Sequence, residues 1–356
     1  MNSWRNHSSG TNGRDNAQVP GSRRRRTRRF SRLTIALLLV LGLSIPTVVE
    51  GNSAERPPEP APQRGPQPTL QSVTRPGPYR VKRYREKDGL RNGPRYRGAT
   101  VYYPVDGPDP LASIVIVPGY ISPERSIRAW GPFYASHGIV AMTIGTNRPQ
   151  DDPAARRRAL LDAMTTLKLE NRRDKSPLKG RLAVTRFAVS GWSMGGGGAL
   201  EAATRAPQLK AIVALCPWNP YQTFSHRVPV LFLAGQRDRL APVSGNALRH
   251  YDKTPASTPK LLFEVRNEGH WIANAPQGGD GAIGRVALSW LKVYLEDDLR
   301  YRPFLRQRPA CASRYRSNLP SVVSPDASSA TGKIRRTDVT HTRAPATPLP
   351  SATLKP

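Results

Sequence analysis

The chain has 356 residues, 38% of them hydrophobic, and carries 55 Lys and Arg against 25 Asp and Glu, a formal net charge of +30. That charge favours anionic surfaces such as envelope lipid or acidic polysaccharide and works against cationic substrates. No His, Cys, Asp and Glu cluster has metal-ligand spacing, and the glycines at 195–198 lack the Lys-Ser or Lys-Thr that would make a phosphate-cradling loop, so no cofactor is expected.

Residues 1–32 hold nine Lys or Arg against one acid. The cluster at 23–29 could serve as a nucleic-acid patch, but it runs straight into the apolar stretch 33–49, and a basic segment followed by an apolar one is the pattern of an export signal. No nucleic-acid partner is expected. Thr27-Arg28-Arg29-Phe30 resembles the twin-arginine export signal, with Ser31 where a hydrophobic residue is usual. Residues 1–51 are thus a leader that is either cleaved or kept as an N-terminal membrane anchor, since about 17 residues is near the lower limit for a span. The protein is expected to be exported, secreted or periplasmic, or membrane-anchored. Residues 52–77 are rich in Pro, Arg and Gln and read as an extended linker, and 306–356, rich in Ser, Pro, Thr and Arg, as a disordered tail.

One domain, 78–305, lies between them and is long enough to bury a sizeable core. Strand-like runs at 99–103, 113–117, 139–144, 186–190, 211–215, 228–234 and 260–265 alternate with helix-like stretches at 127–136, 153–170, 194–205 and 283–296. Alternating β and α elements with short apolar strands predict an α/β fold with a mostly parallel sheet covered on both faces.

Between the fourth strand and the third helix stands Gly191-Trp192-Ser193-Met194-Gly195, the Gly-x-Ser-x-Gly pattern. A strand-turn-helix elbow holds a serine hydroxyl clear of the backbone at the positive end of a helix, and its sharp turn requires neighbours without side chains. Ser193 is therefore the candidate nucleophile, and the chain order in this arrangement is Ser, then Asp or Glu, then His. Of the six histidines, His7 and His341 lie in polar tails and His137 precedes the serine. His226 leaves no room for a strand and an acid, and His250 sits in an apparent short helix at 245–251. His270, in the loop after the 260–265 strand, is the candidate base. Asp238, after the 228–234 strand, is the candidate acid, with Asp252 and Glu264 as fallbacks; it could instead pair with Arg237 or Arg239. An oxyanion hole needs two backbone N–H groups, one from Met194 after the nucleophile and one from the loop after an early strand, where Val117-Pro118-Gly119-Tyr120 offers Tyr120.

Together with Trp130-Gly131-Pro132, Ala135-Ser136-His137-Gly138, Pro217-Trp218, residues 238–243, Gly269-His270 and Tyr301-Arg302-Pro303-Phe304, these segments resemble the bacterial cutinases and related polyester hydrolases that cleave poly(ethylene terephthalate). The likeness runs from about residue 77 to 305. It implies an α/β-hydrolase fold without a large lid, a Ser193, Asp238 and His270 triad, and Tyr120 and Met194 as oxyanion donors. It also implies an open acyl groove walled by Tyr120, Trp192, Trp218 and Leu240, with a monomeric enzyme acting on an ester substrate that is in some cases polymeric. A lipase or small-ester carboxylesterase on the same fold is the alternative, and an envelope-bound binding module without catalysis is a third. The chain departs from that family at several points. Cys216 ends an apolar strand and Cys311 begins the tail, so no disulfide is expected. Trp271 after the histidine and Asn219-Pro220 after Trp218 also differ from the family pattern.

Overall fold

A computed structural model describes residues 65–319. The leader, most of the expected linker and the chain after 319 lie outside the described residues. Nine strands form one sheet: β1 (Val81–Arg85), β2 (Ala99–Pro104), β3 (Leu111–Val117), β4 (Val140–Ile144), β5 (Leu182–Trp192), β6 (Ala211–Leu215), β7 (Val230–Gly235), β8 (Lys260–Val265) and β9 (Ala312–Ser317). Their order is β1-β2-β4-β3-β5-β6-β7-β8-β9. The six strands from β4 to β8 in that order are parallel, while β1, β2 and β9 join antiparallel at the edges. This is the mostly parallel α/β sheet that the alternation of elements predicts, and it is consistent with the α/β-hydrolase fold that the resemblance implies.

The central strands are short apolar runs because both faces are covered. Every residue of β3, β4, β6, β7 and β8 is buried. One face packs on α3 (Pro153–Glu170), α4 (Met194–Arg205) and α5 (Ala247–Lys253). The other packs on α1 (Leu70–Thr74), α2 (Trp130–Ser136), α6 (Ala282–Leu295) and α7 (Arg302–Arg306). Helix α3 begins with local signals: the Asp152 carboxylate caps the Ala155 N–H at 2.6 Å, and Pro153 occupies the first turn. Among the described residues no helix is long and apolar enough to cross a membrane.

Two boundaries need correction. Residues 306–319 are not all tail, because β9 completes the sheet beside β8. There Arg314 pairs with the Glu264 carboxylate at 3.0 Å, Ser313 also bonds it at 2.7 Å, and Tyr315 packs edge-on against Phe263. Likewise residues 65–77 are not all linker: Thr69 and Ser72 cap α1 reciprocally, and Arg300 holds the Gly65 carbonyl at 2.8 Å. In both places the polar composition serves an edge of the structure rather than an unstructured segment.

Tyr315 also donates its hydroxyl to the Leu305 carbonyl at 2.8 Å, linking β9 to α7. Tyr315→Ala should therefore cost about 2–3 kcal/mol, read as a fall of about 5–10 °C in thermal midpoint; an unchanged midpoint would show that β9 adds nothing to the sheet.

Candidate active site

The strand order reverses between β3 and β5, and ligands of open α/β sheets gather at such a switch point, outside the carboxyl ends of the strands. Ser193 follows β5 directly, with φ 59° and ψ −122°, a left-handed conformation that a residue with a side chain adopts only under constraint. The constraint is visible. Its N–H donates to the Leu215 carbonyl at 2.9 Å, and its carbonyl accepts from the Trp218 N–H at 2.8 Å. A Cβ on Gly191 would stand 2.2 Å from the Gly195 carbonyl oxygen, and one on Gly195 would stand 2.4 Å from that of Val117, so only glycine lets the turn close this tightly.

Asp238 lies after β7 and His270 after β8, both buried. Nδ1 of His270 and Oδ2 of Asp238 are 2.7 Å apart. The other carboxylate oxygen, Oδ1, accepts from the N–H groups of Leu240 at 2.9 Å and Ala241 at 2.7 Å, which fixes the plane of the acid. Arg237 and Arg239 are exposed, and the partner of Asp238 is His270. The fallback acids are engaged elsewhere: Asp252 pairs with Arg316 at 3.1 Å and Glu264 with Arg314.

Cys216 also borders this pair. It is a free thiol, as is Cys311, and its sulfur, an Asp238 oxygen and a His270 nitrogen all lie within 4.8 Å of one another. This is the one group of three metal-donor side chains among the described residues. Burial pushes the Cys216 thiol far up, with the Asp238 carboxylate adding to the shift, so the sulfur stays protonated. A neutral thiol is a poor metal ligand, and the two remaining groups are already bonded to each other.

Tyr120 and Met194 flank Ser193. A Cβ on Gly119 would stand 2.8 Å from the Ser193 Cβ, so the Gly119–Tyr120 peptide lies against the elbow. The Tyr120 N–H has no acceptor among the described residues, and the Met194 N–H belongs to the first turn of α4, where no intrahelical acceptor exists.

The four residues expected to wall an acyl groove differ in exposure. Tyr120 is 48% and Leu240 60% exposed, and Trp218 is half-buried with its ring edge-on to the exposed Tyr221. Trp192 is a correction: it is only 3% exposed, because its indole N–H bonds the His270 carbonyl at 3.0 Å and its ring is covered by Trp271, with ring centroids 4.7 Å apart. Trp192 props the histidine loop, and Trp271, 59% exposed, presents the ring instead. Ile121 and Tyr221 also stand exposed on loops after β3 and β6 and were not among the sequence candidates. Their only signal was a large apolar residue in a loop at the carboxyl end of a strand.

Comparison with known proteins is consistent with this geometry. Residues 57–320 match the PETase family, described as PET hydrolase-like. The chain belongs to the PET hydrolase-like family. The family is one of α/β-hydrolases, and membership places the chain among the ester hydrolases. It is similar to a bis(hydroxyethyl) terephthalate hydrolase of Streptomyces coelicolor, 36% identical over 299 residues that cover 82% of this chain and 92% of that protein. It is also similar to Cutinase est1 of Thermobifida alba, 35% identical over 72% of this chain and 86% of the relative. Cutinase 2 of Thermobifida cellulosilytica is 35% identical over 69% and 92% respectively.

The histidines outside the site carry a pH signature for this PET hydrolase-like chain. His137, His226 and His250 are buried, and burial lowers each to about 4. Below about pH 6.5 the unfolded chain binds protons at these positions that the folded chain refuses, so stability falls from pH 6.5 down towards 4. Thermal midpoints across that range should drop, and His250→Phe should flatten the slope; an unchanged slope would mean that His250 is not held neutral.

Proposed function

We propose that this chain hydrolyses carboxylic esters, polyesters among them, through an acyl-enzyme on Ser193. The observation that carries this reading is the 2.7 Å bond between Nδ1 of His270 and Oδ2 of Asp238, on loops beside a left-handed serine at the switch point of the sheet.

In this mechanism Oγ of Ser193 attacks the ester carbonyl carbon as Nε2 of His270 takes its proton. The oxyanion accepts from the Tyr120 and Met194 N–H groups. Asp238 holds the imidazole in the tautomer with hydrogen on Nδ1 and stabilises the imidazolium, while Leu240 and Ala241 keep its carboxylate in line. Collapse of the adduct breaks the C–O bond, and the alcohol leaves with the proton from His270. Water then attacks the acyl carbon, gives its proton to His270, and the serine recovers that proton as the acid departs.

The rim supports a polymeric substrate. Tyr120, Ile121, Tyr221, Leu240 and Trp271 stand exposed around the elbow. Rings and aliphatic groups on a shallow surface grip a chain segment without enclosing it. The similarity to a bis(hydroxyethyl) terephthalate hydrolase and to cutinases supports such substrates. One chain carries every group the mechanism uses, in keeping with a monomer, and the basic and apolar N-terminal segments support export by cleavage or anchoring. The catalytic domain then extends over 65–319 rather than 78–305.

The test is release of soluble products from an aliphatic polyester suspension, run in parallel with tributyrin. Hydrolysis of both is expected, and Ser193→Ala should lower both by at least about 10³-fold. Activity on tributyrin alone would move the substrate to small esters. Retained activity in Ser193→Ala would remove this serine from the mechanism.

A further inference from the structure

Arg156, Arg157 and Arg158 follow one another in the first turns of α3, where consecutive side chains leave the helix in different directions. They divide sharply. Arg158 is exposed, Arg157 is half-buried beside Glu201 at 3.5 Å, and Arg156 is 0% exposed. A guanidinium taken wholly out of water is retained only where its donors are matched. Among the described residues no carboxylate is in ion-pair contact with Arg156, although those of Asp151 and Asp152 are near enough to favour its charge. Its donors go to backbone carbonyls instead: Nε to Pro118 at 3.0 Å, Nη2 to Gly119 and to Pro149 at 3.3 Å, and Nη1 to Asp151. Burial lowers its pKa from 12.5 to about 10, so it is charged at neutral pH.

Two of those carbonyls belong to the loop that supplies Tyr120. In a planar trans peptide the C=O and the N–H point in opposite directions. Gly119 C=O and Tyr120 N–H are the two ends of one such unit, so drawing the carbonyl towards α3 turns the N–H away from it. The far side of Tyr120 is tied to the same place, because the Ile121 N–H donates to the Pro149 carbonyl at 2.8 Å, which Arg156 also holds. The base of the arginine is fixed in turn: a Cβ on Gly198 of α4 would stand 2.9 Å from the Arg156 Cβ, so α3 meets the nucleophile helix at this point.

We infer that Arg156 is the positioning residue of the oxyanion hole: its buried guanidinium anchors the Gly119 carbonyl, and so aims the Tyr120 N–H of the same peptide at the adduct on Ser193. The inference rests on the reading of Ser193 and Tyr120 given above. A charge-assisted bond to the carbonyl also polarises that peptide and strengthens its N–H as a donor. Lysine cannot replace the fork, because a point charge on a flexible stem does not span carbonyls at 118, 119, 149 and 151 together.

The experiment compares wild type, Arg156→Lys, Arg156→Met and Ser193→Ala on p-nitrophenyl acetate and on the matching thionoester, whose sulfur is a poor acceptor for oxyanion donors. In the Arg156 variants kcat on the ester should fall about 10²-fold with KM within about 3-fold. The ester-to-thionoester rate ratio should fall towards that of the uncatalysed reaction, a readout that general loosening of the fold would not move selectively. Arg156→Lys keeps a cation in the buried site and carries the test if Arg156→Met does not fold. Folded variants with kcat within about 3-fold of wild type, or with both rates lowered equally and the ratio unchanged, would overturn the inference. If Ser193→Ala remained active, the triad reading itself would fall; if it is inactive while the Arg156 variants are unaffected, only the role of Arg156 falls.

Discussion

The left-handed backbone at Ser193 is the constraint on which the other parts of this end of the molecule converge. Holding a non-glycine residue there costs about 1–3 kcal/mol, and the structure supplies that from contacts on both sides of β5. On one side Leu215, the last residue of β6, accepts the Ser193 N–H, and Trp218 in the loop beyond donates to the Ser193 carbonyl. On the other, the carbonyls of Val117 and Pro118 close over Gly195 so tightly that no side chain fits between. Both neighbours therefore reach Ser193 through backbone, and each brings a candidate site residue with it: Tyr120 from the β3 side, Trp218 from the β6 side.

The first turn of α3 governs both of these loops from behind. Arg156 holds the β3 loop through its carbonyls. Arg157 meets Glu201, whose carboxylate accepts from Nδ2 of Asn219 at 3.0 Å, and the Asn219 N–H in turn bonds Oδ1 of Asn246 at 3.1 Å. Asn219, a departure from the family pattern in the sequence, thus has a structural account: it fastens the Trp218 loop to α4. Burial raises the Glu201 carboxyl, and the Asn219 amide and the Arg157 guanidinium act against that shift.

The parallel strands were legible in the sequence because burial on both faces leaves continuous apolar runs. The bounds of α3 and α4 were legible too, through the Asp152 cap and the elbow. What escaped was the perimeter. β1 reads Val-Lys-Arg-Tyr-Arg and β9 reads Ala-Ser-Arg-Tyr-Arg-Ser. Charged side chains protect an exposed edge from pairing with another chain, and the same charges erase the apolar pattern by which strands are recognised. The site divides along a similar line. Ser193, Asp238 and His270 could be ordered by chain position and flanking strands, but burial could not. Arg156 shares its helix face with Ala159, Leu160 and Ala163, but as an arginine beside two others it carries no sign of burial in its residue type, and Trp192 gives no sign that Trp271 will cover it.

Under the proposed action on polyesters, the exposed rim would have a kinetic meaning. Tyr120, Leu240 and Trp271 already face solvent in the free protein, so the surface that would meet a polymer is formed before contact. Turnover on a solid would then scale with the area that the enzyme can cover, levelling off as the surface fills, rather than with dissolved substrate. The same rim that brings the elbow to the polymer would also slow its departure, which makes residence on the solid, and not only the chemistry at Ser193, a determinant of how fast the material is eroded.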